Sequence, residues 1–494
     1  MYSNKLSSLF SSICKNNLLK IAIQLNKKKI TYKQLDINSE KFRNFFLNKF
    51  KKKKIIFIEG NKIAETFYSI LGAVKSPFTY SIIDPQIPNP KLNKLLKDKK
   101  SVLIYSSKRF RKIKGIEKYE FKNILKNKLN NLKINRTNLK KKNVYVIYTS
   151  GSTGTPKGCC VGEENILSFI EVWRKLLKID KKKQKNFTQI NPLYFDNSVF
   201  DFYISIFTGS ILSPIKTDTI KDLINAPSKI YKLNCDVWFS VPSLIIYFLN
   251  LKLLKKKHLT KIKYLIFGGE GFSKNKLKEL WKLKNKELIN VYGPSECTCI
   301  CSYHFITKKD IFNDKEKFVP LGKITNNFNF KILNNNNDKG ELLLFGKGVG
   351  NGYYKNSLET KKKFIFNKNT INGYKTGDLV KLKNKKLYFS GRIDNQVKFM
   401  GYRIELEEIE KEINKIKNVK ENVVIKSYFK GFEELSAFIY SGSKLSDDDV
   451  KKNLKYNLPL YMVPKNIFLF KKPLEKNRNF KINRNYYQNL KIFN

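Results

Sequence analysis

Short runs of strand-forming residues alternate along the chain with longer stretches in which apolar residues recur every three or four positions. Residues 61–76 and 273–285 have this helical spacing. The alternation is typical of an α/β fold with largely parallel strands. In such sheets ligands bind beyond the carboxyl ends of the strands, so polar motifs that follow strands are expected to meet at one site. The strand-like runs are KIIFIEG (54–60), VLIYSS (102–107), VYVIYTS (144–150), NFTQINP (186–192), DVWFSVPS (236–243), IKYLIFGG (262–269) and LINVYGPS (288–295).

The pattern changes near Lys331, where shorter, hairpin-like β units replace the alternation. The C-terminal part reads as a β-rich turn, a helix at 405–416, two strands and a further helix, which predicts a small α+β domain. Glycines bracket a charged segment at 391–401, and we place the domain boundary there. The expected fold is therefore a large N-terminal domain, 1–391, of mixed, largely parallel sheets with helices, joined to a small α+β domain, 392–494.

The charge of the chain is strongly positive. Its 494 residues include 98 Lys and Arg against 41 Asp and Glu, a formal net charge of +57. A nucleic-acid-binding face would concentrate lysine on one element, but the lysine runs are scattered from 27–29 to 361–363. Asparagine is enriched too, as at Asn334–Asn337, and a general compositional bias explains both enrichments. We therefore expect no nucleic-acid partner, although the charge attracts acidic partners at low salt.

The cysteines and the apolar stretches bear on the cellular location. The seven cysteines show no paired framework and no metal-ligand spacing, which is typical of a reduced, cytosolic protein. Cys297, Cys299 and Cys301 alternate as they would on one face of a strand. The first twenty residues lack an unbroken apolar run, and the apolar stretch 241–251 is too short to span a bilayer. We expect a cytoplasmic protein without a membrane span.

The stretch VYVIYTSGSTGTPKGCC, 144–160, combines glycines, short hydroxyl side chains and one lysine directly after a strand. Its glycines permit turns in which amide N–H groups point at an anion, and Lys157 adds positive charge. It is not a Walker A loop, because Pro156 precedes the lysine and Gly158 follows it. We favour a phosphate-binding loop, with a surface turn of small residues as the alternative. The candidate phosphate ligands are Thr149, Ser150, Gly151, Ser152, Thr153, Gly154 and Lys157.

Further polar stretches lie at the ends of predicted elements. In NVYGPSECT, Glu296 offers a hard oxygen ligand for a Mg²⁺ that bridges nucleotide phosphates, and Tyr292 offers a ring that can stack on a base. Asp378 in YKTGDL is suited to accept hydrogen bonds from ribose hydroxyls, with Arg392 as a second ribose or phosphate contact. Asp196, among aromatic residues in YFDNSVFDF, needs a cationic partner. Each stretch alone is also compatible with an ordinary solvated turn.

In this order, YTSGSTGTPKG, NVYGPSECT, YKTGDL and GRIDNQVKFMGYRIE resemble the core motifs of the adenylate-forming superfamily. That superfamily includes acyl-CoA synthetases, luciferases and the adenylation domains of nonribosomal peptide synthetases, and the resemblance covers essentially the whole chain. FDNSVFDFY and DVWFSVPSL are similar to the amino-acid-activating branch, above all to D-alanine–D-alanyl carrier protein ligases. The resemblance implies that a monomer uses ATP and Mg²⁺ to form an aminoacyl-AMP. It further implies transfer of the aminoacyl group to the phosphopantetheine thiol of a separate, acidic carrier protein.

The resemblance also implies roles for individual residues. Asp196 binds the α-ammonium group of the substrate, and Glu296 binds the metal. The small C-terminal domain is mobile about a hinge at Asp394, which exchanges Lys481 for the face that carries Lys398. The implied catalytic residues are Lys481, Thr149 and Lys157. Besides the phosphate loop, the implied nucleotide contacts are Asn290, Tyr292, Gly293, Pro294, Ser295, Asp378, Arg392 and Lys481. The implied side-chain pocket comprises Asn197, Phe200, Phe239, Ile266, Gly268, Val291, Cys299 and Ile300.

Two departures from the family's pattern bear on the substrate and on activity. Gly268 stands where D-alanine ligases typically carry a cysteine, which leaves other small or medium amino acids open. The tail loop PLEKNRNFKINR, 473–484, is longer than the family's, with Phe480 in place of a glycine; Lys481 is the expected adenylating lysine and Lys476 the fallback. The alternative functions are an acyl-CoA or aryl-acid ligase, which would not need the ammonium-binding aspartate, and a catalytically silent nucleotide-binding relative.

Overall fold

The structure is a computed structural model of the chain. The sequence supplies helix caps where several helices begin. Thr31 accepts a hydrogen bond from the backbone of Gln34, whose side chain bonds back to the backbone of Thr31, and Ser446 and Asp449 form a second capping box. The structure describes residues 5–26, 28–50, 55–96, 101–126, 143–151, 156–180, 183–284, 286–312, 316–336, 339–367, 370–429, 432–442 and 444–490.

The helices and strands have the following bounds in the described residues. The helices are α1 Lys5–Asn16, α2 Tyr32–Lys49, α3 Ala64–Val74, α4 Asn89–Leu96, α5 Lys108–Arg111, α6 Phe121–Lys126, α7 Glu163–Leu176, α8 Asn197–Val199, α9 Ile220–Lys232, α10 Pro242–Asn250, α11 Lys256–Leu259, α12 Lys274–Leu283, α13 Lys308–Phe312, α14 Ser357–Lys363, α15 Leu406–Ile413, α16 Asp447–Asn457 and α17 Arg484–Gln488. The strands are β1 Ile21–Gln24, β2 Lys29–Thr31, β3 Ile55–Glu59, β4 Thr79–Ile83, β5 Ser101–Tyr105, β6 Glu117–Glu120, β7 Tyr145–Thr149, β8 Lys157–Val161, β9 Asn186–Gln189, β10 Ile211–Pro214, β11 Val237–Ser240, β12 Tyr264–Gly268, β13 Leu288–Tyr292, β14 Ser302–Phe305, β15 Lys323–Ile324, β16 Asn329–Asn336, β17 Lys339–Phe345, β18 Phe364–Asn367, β19 Thr370–Lys383, β20 Lys386–Arg392, β21 Gln396–Phe399, β22 Tyr402–Glu405, β23 Val419–Phe429, β24 Phe432–Ser441 and β25 Asn466–Phe470.

The chain divides into two compact units, each built from several segments. The first unit comprises Met1–Pro85, Lys99–Tyr148 and Gly158–Ile393. The second unit comprises Gln86–Asp98, Thr149–Lys157 and Asp394–Asn494. The stretch Thr149–Lys157, which contains the predicted phosphate loop, therefore belongs to the same unit as the C-terminal residues. The domain boundary at 391/392 and the hinge at Asp394 stay predictions.

Two large sheets form most of the first unit. One has nine strands in the order β15-β14-β13-β12-β11-β9-β10-β1-β2, and the other has six in the order β6-β5-β3-β4-β7-β8. Strands β9 to β13 pair in parallel, whereas β2, β14 and β15 pair antiparallel at the edges of the larger sheet. The predicted α/β fold with largely parallel strands is confirmed. The carboxyl ends of β9, β11, β12 and β13 consequently lie side by side.

A third sheet of the first unit is entirely antiparallel and follows the change of pattern near Lys331. Its order is β16-β17-β19-β18, with β20 paired to β19. Asp378 on β19 and Arg392 on β20 are direct register partners. Asp378 and Arg392, which belong to two different sequence motifs, are thus opposite one another on adjacent antiparallel strands.

The second unit has the α+β character that its sequence predicts. A hairpin of β21 and β22 precedes α15, and β23, β24 and β25 form a three-stranded sheet. Helices α15 and α16 contribute Ile409, Ile413, Val450 and Leu454 to one buried cluster with residues of this sheet. Apolar residues at helical spacing therefore face the sheet, as expected for amphipathic helices.

The structure corrects one detail that the sequence suggested. Cys297, Cys299 and Cys301 do not lie on a strand: the first ends a 3₁₀ turn, and the second has a left-handed backbone with φ 73°. The three residues instead follow the irregular chain between β13 and β14, where strand periodicity does not apply. Among the described residues, no helix is long and apolar enough to cross a bilayer.

Candidate active site

Three neighbouring strands of the nine-stranded sheet present the predicted pocket side chains next to one another. Phe239 on β11 is the register partner of Ile266 on β12, and Gly268 on β12 is the partner of Val291 on β13. Ile266 and Gly268 are two residues apart and therefore share a face of the sheet. Phe239, Ile266 and Val291 are all buried in one apolar cluster. The register of the parallel strands thus assembles this wall of the pocket.

Gly268 lies unusually close to the neighbouring strand. A Cβ built on it would be 2.2 Å from the carbonyl oxygen of Val291 and 2.6 Å from the Cγ2 atom of the same residue. No larger side chain fits here without a displacement of β12 relative to β13. Gly268 is therefore required by the close packing of its own backbone against β13.

A second wall comes from the helical segment that follows Asp196. After α8 the chain forms a π-helical turn at Phe200–Ile204, a geometry that occurs often at functional sites. The ring of Phe200 lies 5.1 Å from that of Phe239 and 4.9 Å from that of Trp173, both edge-on. Asn197 is half-buried. Two aromatic rings from different elements therefore meet in the predicted pocket.

The remaining pocket residues come from an irregular segment. Thr298 and Cys299 both have left-handed backbones, with φ of 53° and 73°. Cys299 and Ile300 are buried and belong to the same apolar cluster as Phe200 and Val291. The two strained residues direct the chain back towards β14 and place adjacent side chains in the cluster.

Asp196 and Ser295 join two sequence motifs that are 99 residues apart. The Ser295 hydroxyl donates a hydrogen bond of 2.6 Å to Oδ2 of Asp196. Asp196 is half-buried, and in the described part of the chain no lysine or arginine forms an ion pair with it. Among the described residues the carboxylate therefore has a hydroxyl donor and no cationic partner.

The other residues of the NVYGPSECT stretch, 290–298, have mainly structural contacts. Nδ2 of Asn290 donates to the carbonyl of Pro320 at 2.7 Å, and a Cβ on Gly293 would lie 2.3 Å from the carbonyl oxygen of Cys299. The carbonyl of Pro294 accepts a hydrogen bond from the amide of Cys297. These contacts hold the turn that carries Glu296.

Glu296 is buried, and one of its carboxylate oxygens is held by a tyrosine. The hydroxyl of Tyr353 donates to Oε1 of Glu296 at 2.7 Å. Tyr353 is itself buried, and its hydroxyl is 3.5 Å from that of Tyr374. No pattern in the sequence marks Tyr353, which follows the glycines of GNGYY at 350–354. No group of three or more His, Cys, Asp or Glu side chains in the described chain is arranged as a metal site of its own.

Asp378 accepts hydrogen bonds from two of the predicted nucleotide contacts. Tyr292 donates its hydroxyl to Oδ2 of Asp378 at 2.5 Å, and Arg392 forms an ion pair with Oδ1. Burial, followed by the negative charge of Asp378, raises the pKa of the Tyr292 hydroxyl, so Tyr292 stays a donor. The structure thus brings the predicted base and ribose contacts into one hydrogen-bonded group.

In the second unit, the residues at the start of the phosphate loop contact strand β22 and helix α15. The Ser150 hydroxyl donates to the carbonyl of Arg403 at 2.6 Å, and the amide of Gly151 donates to Oε2 of Glu408 at 3.3 Å. Thr149 donates to the carbonyl of Lys157 at 3.4 Å. Ser152, Thr153 and Gly154 lie outside the described residues, so their predicted phosphate contacts stay predictions.

The C-terminal lysine loop closes on itself through its backbone. The amide of Asn477 donates to the carbonyl of Lys481 at 2.8 Å, and its side-chain oxygen accepts from the amide of Lys481 at 3.1 Å. The Lys481 side chain is exposed, whereas Lys476 forms an ion pair of 2.7 Å with Glu421. The fallback lysine therefore has a structural partner on β23, outside the loop.

The family described as AMP-binding enzyme matches residues 11–354, more than half of the chain. The chain belongs to the AMP-binding enzyme family. The resemblance seen in the sequence motifs is thereby confirmed.

Members of this AMP-binding enzyme family align along most of the chain. Bacitracin synthase 1 of Bacillus licheniformis is 30% identical over 470 residues, which is 92% of this chain but 9% of that protein's length. The D-alanine–D-alanyl carrier protein ligase of Staphylococcus epidermidis is 28% identical over 461 residues, 90% of this chain and 91% of the relative. The second relative is thus comparable in length, while the first is many times longer.

Solved structures share the fold of this AMP-binding enzyme. The o-succinylbenzoate CoA synthetase of Bacillus subtilis has a TM-score of 0.83 at 18% identity and covers 97% of each chain. The adenylation domain AlmE of Vibrio cholerae, in complex with glycyl-adenosine-5'-phosphate, has a TM-score of 0.82 at 20% identity and covers 99% of this chain and 98% of its own. The two likenesses establish the architecture and do not distinguish between the reactions.

Proposed function

We propose that this AMP-binding enzyme activates an amino acid with ATP and passes it to the thiol of a phosphopantetheine-bearing carrier protein. The observation that carries the proposal is the environment of Asp196. This carboxylate is half-buried, hydrogen-bonded to Ser295 and without a lysine or arginine partner in the described chain. Burial of an unpaired carboxylate is costly, and the α-ammonium group of an amino acid supplies the missing charge.

The apolar walls next to Asp196 support a substrate with a small or medium uncharged side chain. Phe200, Phe239, Ile266 and Val291 are buried in one cluster and present no charged group. A carboxylate for the ammonium group and an apolar wall for the side chain are the two features that amino-acid recognition requires. A fatty or aryl acid would use the wall and leave Asp196 unpaired.

The residues predicted to bind ATP fit a nucleoside triphosphate. Each oxygen of Asp378 accepts one hydrogen bond, from Tyr292 or Arg392, which leaves a lone-pair position on each for the vicinal ribose hydroxyls. Bound ATP supplies the α-phosphate that the substrate carboxylate attacks, with release of pyrophosphate. In this proposal Asp378 and Arg392 orient the ribose, and the amides of the phosphate loop with Lys157 bind the β- and γ-phosphates.

A single magnesium ion also fits the donor set. Mg²⁺ takes few protein ligands and completes its shell with water and phosphate oxygens. Glu296 offers one buried carboxylate, and the hydroxyl of Tyr353 fixes its Oε1. Magnesium at Glu296 would offset phosphate charge, and Lys481 would bridge the substrate carboxylate and the α-phosphate.

A carrier protein is the acceptor that the relatives favour. The Staphylococcus epidermidis relative, which this chain matches over nearly its whole length, is a carrier protein ligase by name. A formal net charge of +57 favours encounter with an acidic carrier. We propose a separate acidic carrier on these grounds, and a monomeric enzyme as the sequence resemblance implies.

The test is amino-acid-dependent exchange of pyrophosphate into ATP, over all L- and D-amino acids, with fatty and aryl acids for comparison. We expect exchange with one amino acid or a few similar ones. Asp196→Asn removes the charge while keeping the shape and should raise KM for the amino acid about 100-fold, the value of a lost hydrogen bond between charged groups. Asp310→Asn is the matched control, since Asp310 pairs with His304 at 2.8 Å and has no place in the proposed pocket.

Two outcomes would contradict the proposal. Exchange that occurs only with acids lacking an amine would reassign the protein as an acyl-CoA or aryl-acid ligase. No exchange with any acid would indicate a nucleotide-binding relative without this activity.

A further inference from the structure

A group of buried polar side chains lies at the carboxyl ends of β9 and β10, and the proposed chemistry does not use it. Lys62 is 6% exposed, Asn191 4%, and Gln189 and Asp201 are fully buried. Lysine and aspartate are rarely buried to this degree unless they have a role in the structure or in function. Asp201 directly follows the pocket residue Phe200 in the π-helical turn.

Lys62 connects the two large sheets of the first unit. It lies between β3 of the six-stranded sheet and helix α3, and its Nζ reaches the end of the nine-stranded sheet. There it donates to the carbonyl oxygens of Ile190 at 2.6 Å and Ile215 at 2.7 Å. These residues directly follow β9 and β10. A single side chain thus holds the ends of two neighbouring parallel strands.

Asn191 connects the two walls of the amino-acid pocket. Its Nδ2 lies 3.1 Å from the carbonyl oxygen of Phe239 and 3.4 Å from Oδ2 of Asp201. Gln189 donates to the carbonyl of Asn191 at 2.5 Å and so fixes its backbone. The amide group of Asn191 therefore bonds both to the strand that carries Phe239 and to the turn that carries Phe200.

The charge states of the group are consistent with uncharged partners. Burial lowers the pKa of Lys62 to about 7, and burial raises the pKa of Asp201 well above its ordinary value. A neutral amine has two N–H groups, which matches the two carbonyl acceptors of Lys62. Within the described chain, Oδ1 of Asp201 has no hydrogen-bond partner, which a buried carboxylic acid tolerates better than a carboxylate.

We propose that Lys62, Asn191 and Asp201 form a positioning network that sets the separation of the Phe200 and Phe239 walls and thereby selects the side chain of the substrate. The network does not touch the reacting atoms. It acts through the backbone of β11 and through the π-helical turn. The inference rests on the proposed function in that it takes the cluster of Phe200 and Phe239 as the side-chain pocket.

The test compares Asp201→Ala with Asp201→Asn in the full chain, by pyrophosphate exchange over a series of amino acids of increasing side-chain size. The alanine variant removes one of the two hydrogen-bond partners of the Asn191 amide. We therefore expect its KM for the preferred amino acid to rise about tenfold, the effect of one lost buried hydrogen bond. The KM for ATP and kcat should change much less, and larger side chains should become better substrates. The asparagine variant keeps an uncharged hydrogen-bonding group and should behave like the wild type.

Glu59→Ala is the matched control. Glu59 is also a fully buried carboxylate, and one of its oxygens has no partner among the described residues. It accepts hydrogen bonds from Ser106 and Ser107 rather than from a pocket residue. The Glu59→Ala variant should have a lower thermal stability, and its order of preference among the amino acids should stay that of the wild type. Asn191→Ala provides a second variant in case Asp201→Ala does not fold, with the same expected rise in KM.

The proposal is overturned if Asp201→Ala and Asn191→Ala resemble Glu59→Ala, that is, if they lose stability and keep the wild-type KM and substrate order. It is also overturned if Asp201→Asn is as impaired as Asp201→Ala. A wild-type protein that activates only acids without an amine would contradict the proposed function instead. The same variants would then test the network with side chains of those acids.

Discussion

Two lysines of this enzyme stand in opposite surroundings. Lys62 is buried, and its Nζ makes two hydrogen bonds to carbonyl groups at the ends of parallel strands. Lys481 is exposed, and within the described chain its side chain has no ion pair or hydrogen bond. The first lysine belongs to the region that we assign to recognition, and the second to the loop that we assign to catalysis.

The difference shows how the two tasks place different demands on the chain. A pocket that discriminates between side chains must be rigid before the substrate arrives, since reorganisation would reduce the binding energy. A catalytic lysine that serves one half of a two-step reaction must be able to leave, and a loop held by its own backbone bonds permits that. The two lysines therefore differ chiefly in burial: Lys62 is buried and Lys481 is exposed.

The largest expected effect is on the exposed lysine. Lys481→Ala should lower the rate of pyrophosphate exchange by about 10²- to 10³-fold, the usual cost of one lost electrostatic contact to a transition state. Lys476→Ala is the control, because Lys476 pairs with Glu421 and its removal should cost less than about 1 kcal/mol of stability. Loss of exchange in the Lys476 variant alone would transfer the catalytic assignment to that residue.

The next effect concerns the rigidity of the pocket. Gly268→Cys introduces a Cβ that would lie 2.2 Å from the Val291 carbonyl, so β12 and β13 must separate. We expect a loss of about 1–3 kcal/mol in the free energy of unfolding, measured by urea denaturation. Gly442→Ala is the control, since its added Cβ meets only the flexible end of the Lys420 side chain. An unchanged stability of the cysteine variant would show that the pocket wall is adaptable.

A smaller effect separates the buried lysine from all exposed ones. The pKa of Lys62 is about 7 in the folded protein and 10.5 without perturbation, so between these values the unfolded chain binds one proton more. This group therefore makes stability increase with pH, by about 1.4 kcal/mol between pH 8 and pH 9. Lys62→Met should reduce that slope, as measured by urea denaturation at both values.

The carboxyl groups that face Lys62, from Asp201 and Asp218, are present in both proteins of that comparison. Lys481→Met is the control, because an exposed lysine should leave the slope unchanged. Equal slopes in the wild type and the Lys62 variant would mean that Lys62 is charged in the folded protein.

The smallest effect concerns the departure in the lysine loop. Phe480 is 87% exposed and has φ 57°, a left-handed backbone that disfavours an aromatic residue. Phe480→Gly should therefore raise stability, by less than about 1 kcal/mol, in thermal denaturation. The exchange rate should remain that of the wild type. A marked change in rate would show that the phenylalanine itself contributes to catalysis.

Much of the fold could be predicted because hydrophobic periodicity is a local property. The runs that predicted β3, β5, β7, β9, β11, β12 and β13 each coincide with a strand of the described chain. The motifs also indicated which polar residues gather at the strand ends. Asp196 with Ser295, and Tyr292 with Asp378, do lie within hydrogen-bonding distance.

The supporting network could not be predicted for a physical reason. Lys62 is one of 98 basic residues, most of them solvated, and nothing local marks it as buried. Its importance arises from the packing of two sheets, which depends on residues far apart in the chain. Tyr353 and Asn191 are similar cases, since each acquires a role only through a partner on another element.

The hydrogen bond between Ser295 and Asp196 has a thermodynamic consequence. Ser295 lies in the motif assigned to the nucleotide, while Asp196 is assigned to the amino acid. The hydroxyl oxygen of Ser295 lies 2.6 Å from Oδ2 of Asp196, to which it donates. A ligand that draws either residue away changes the free energy of the other. Such coupling is reciprocal, so the affinity for ATP must depend on the amino acid by the same factor as the reverse. Measured in both orders of addition, the four dissociation constants close a thermodynamic cycle that gives the coupling between the substrates, and the same cycle for Ser295→Ala gives the part of it that this serine carries.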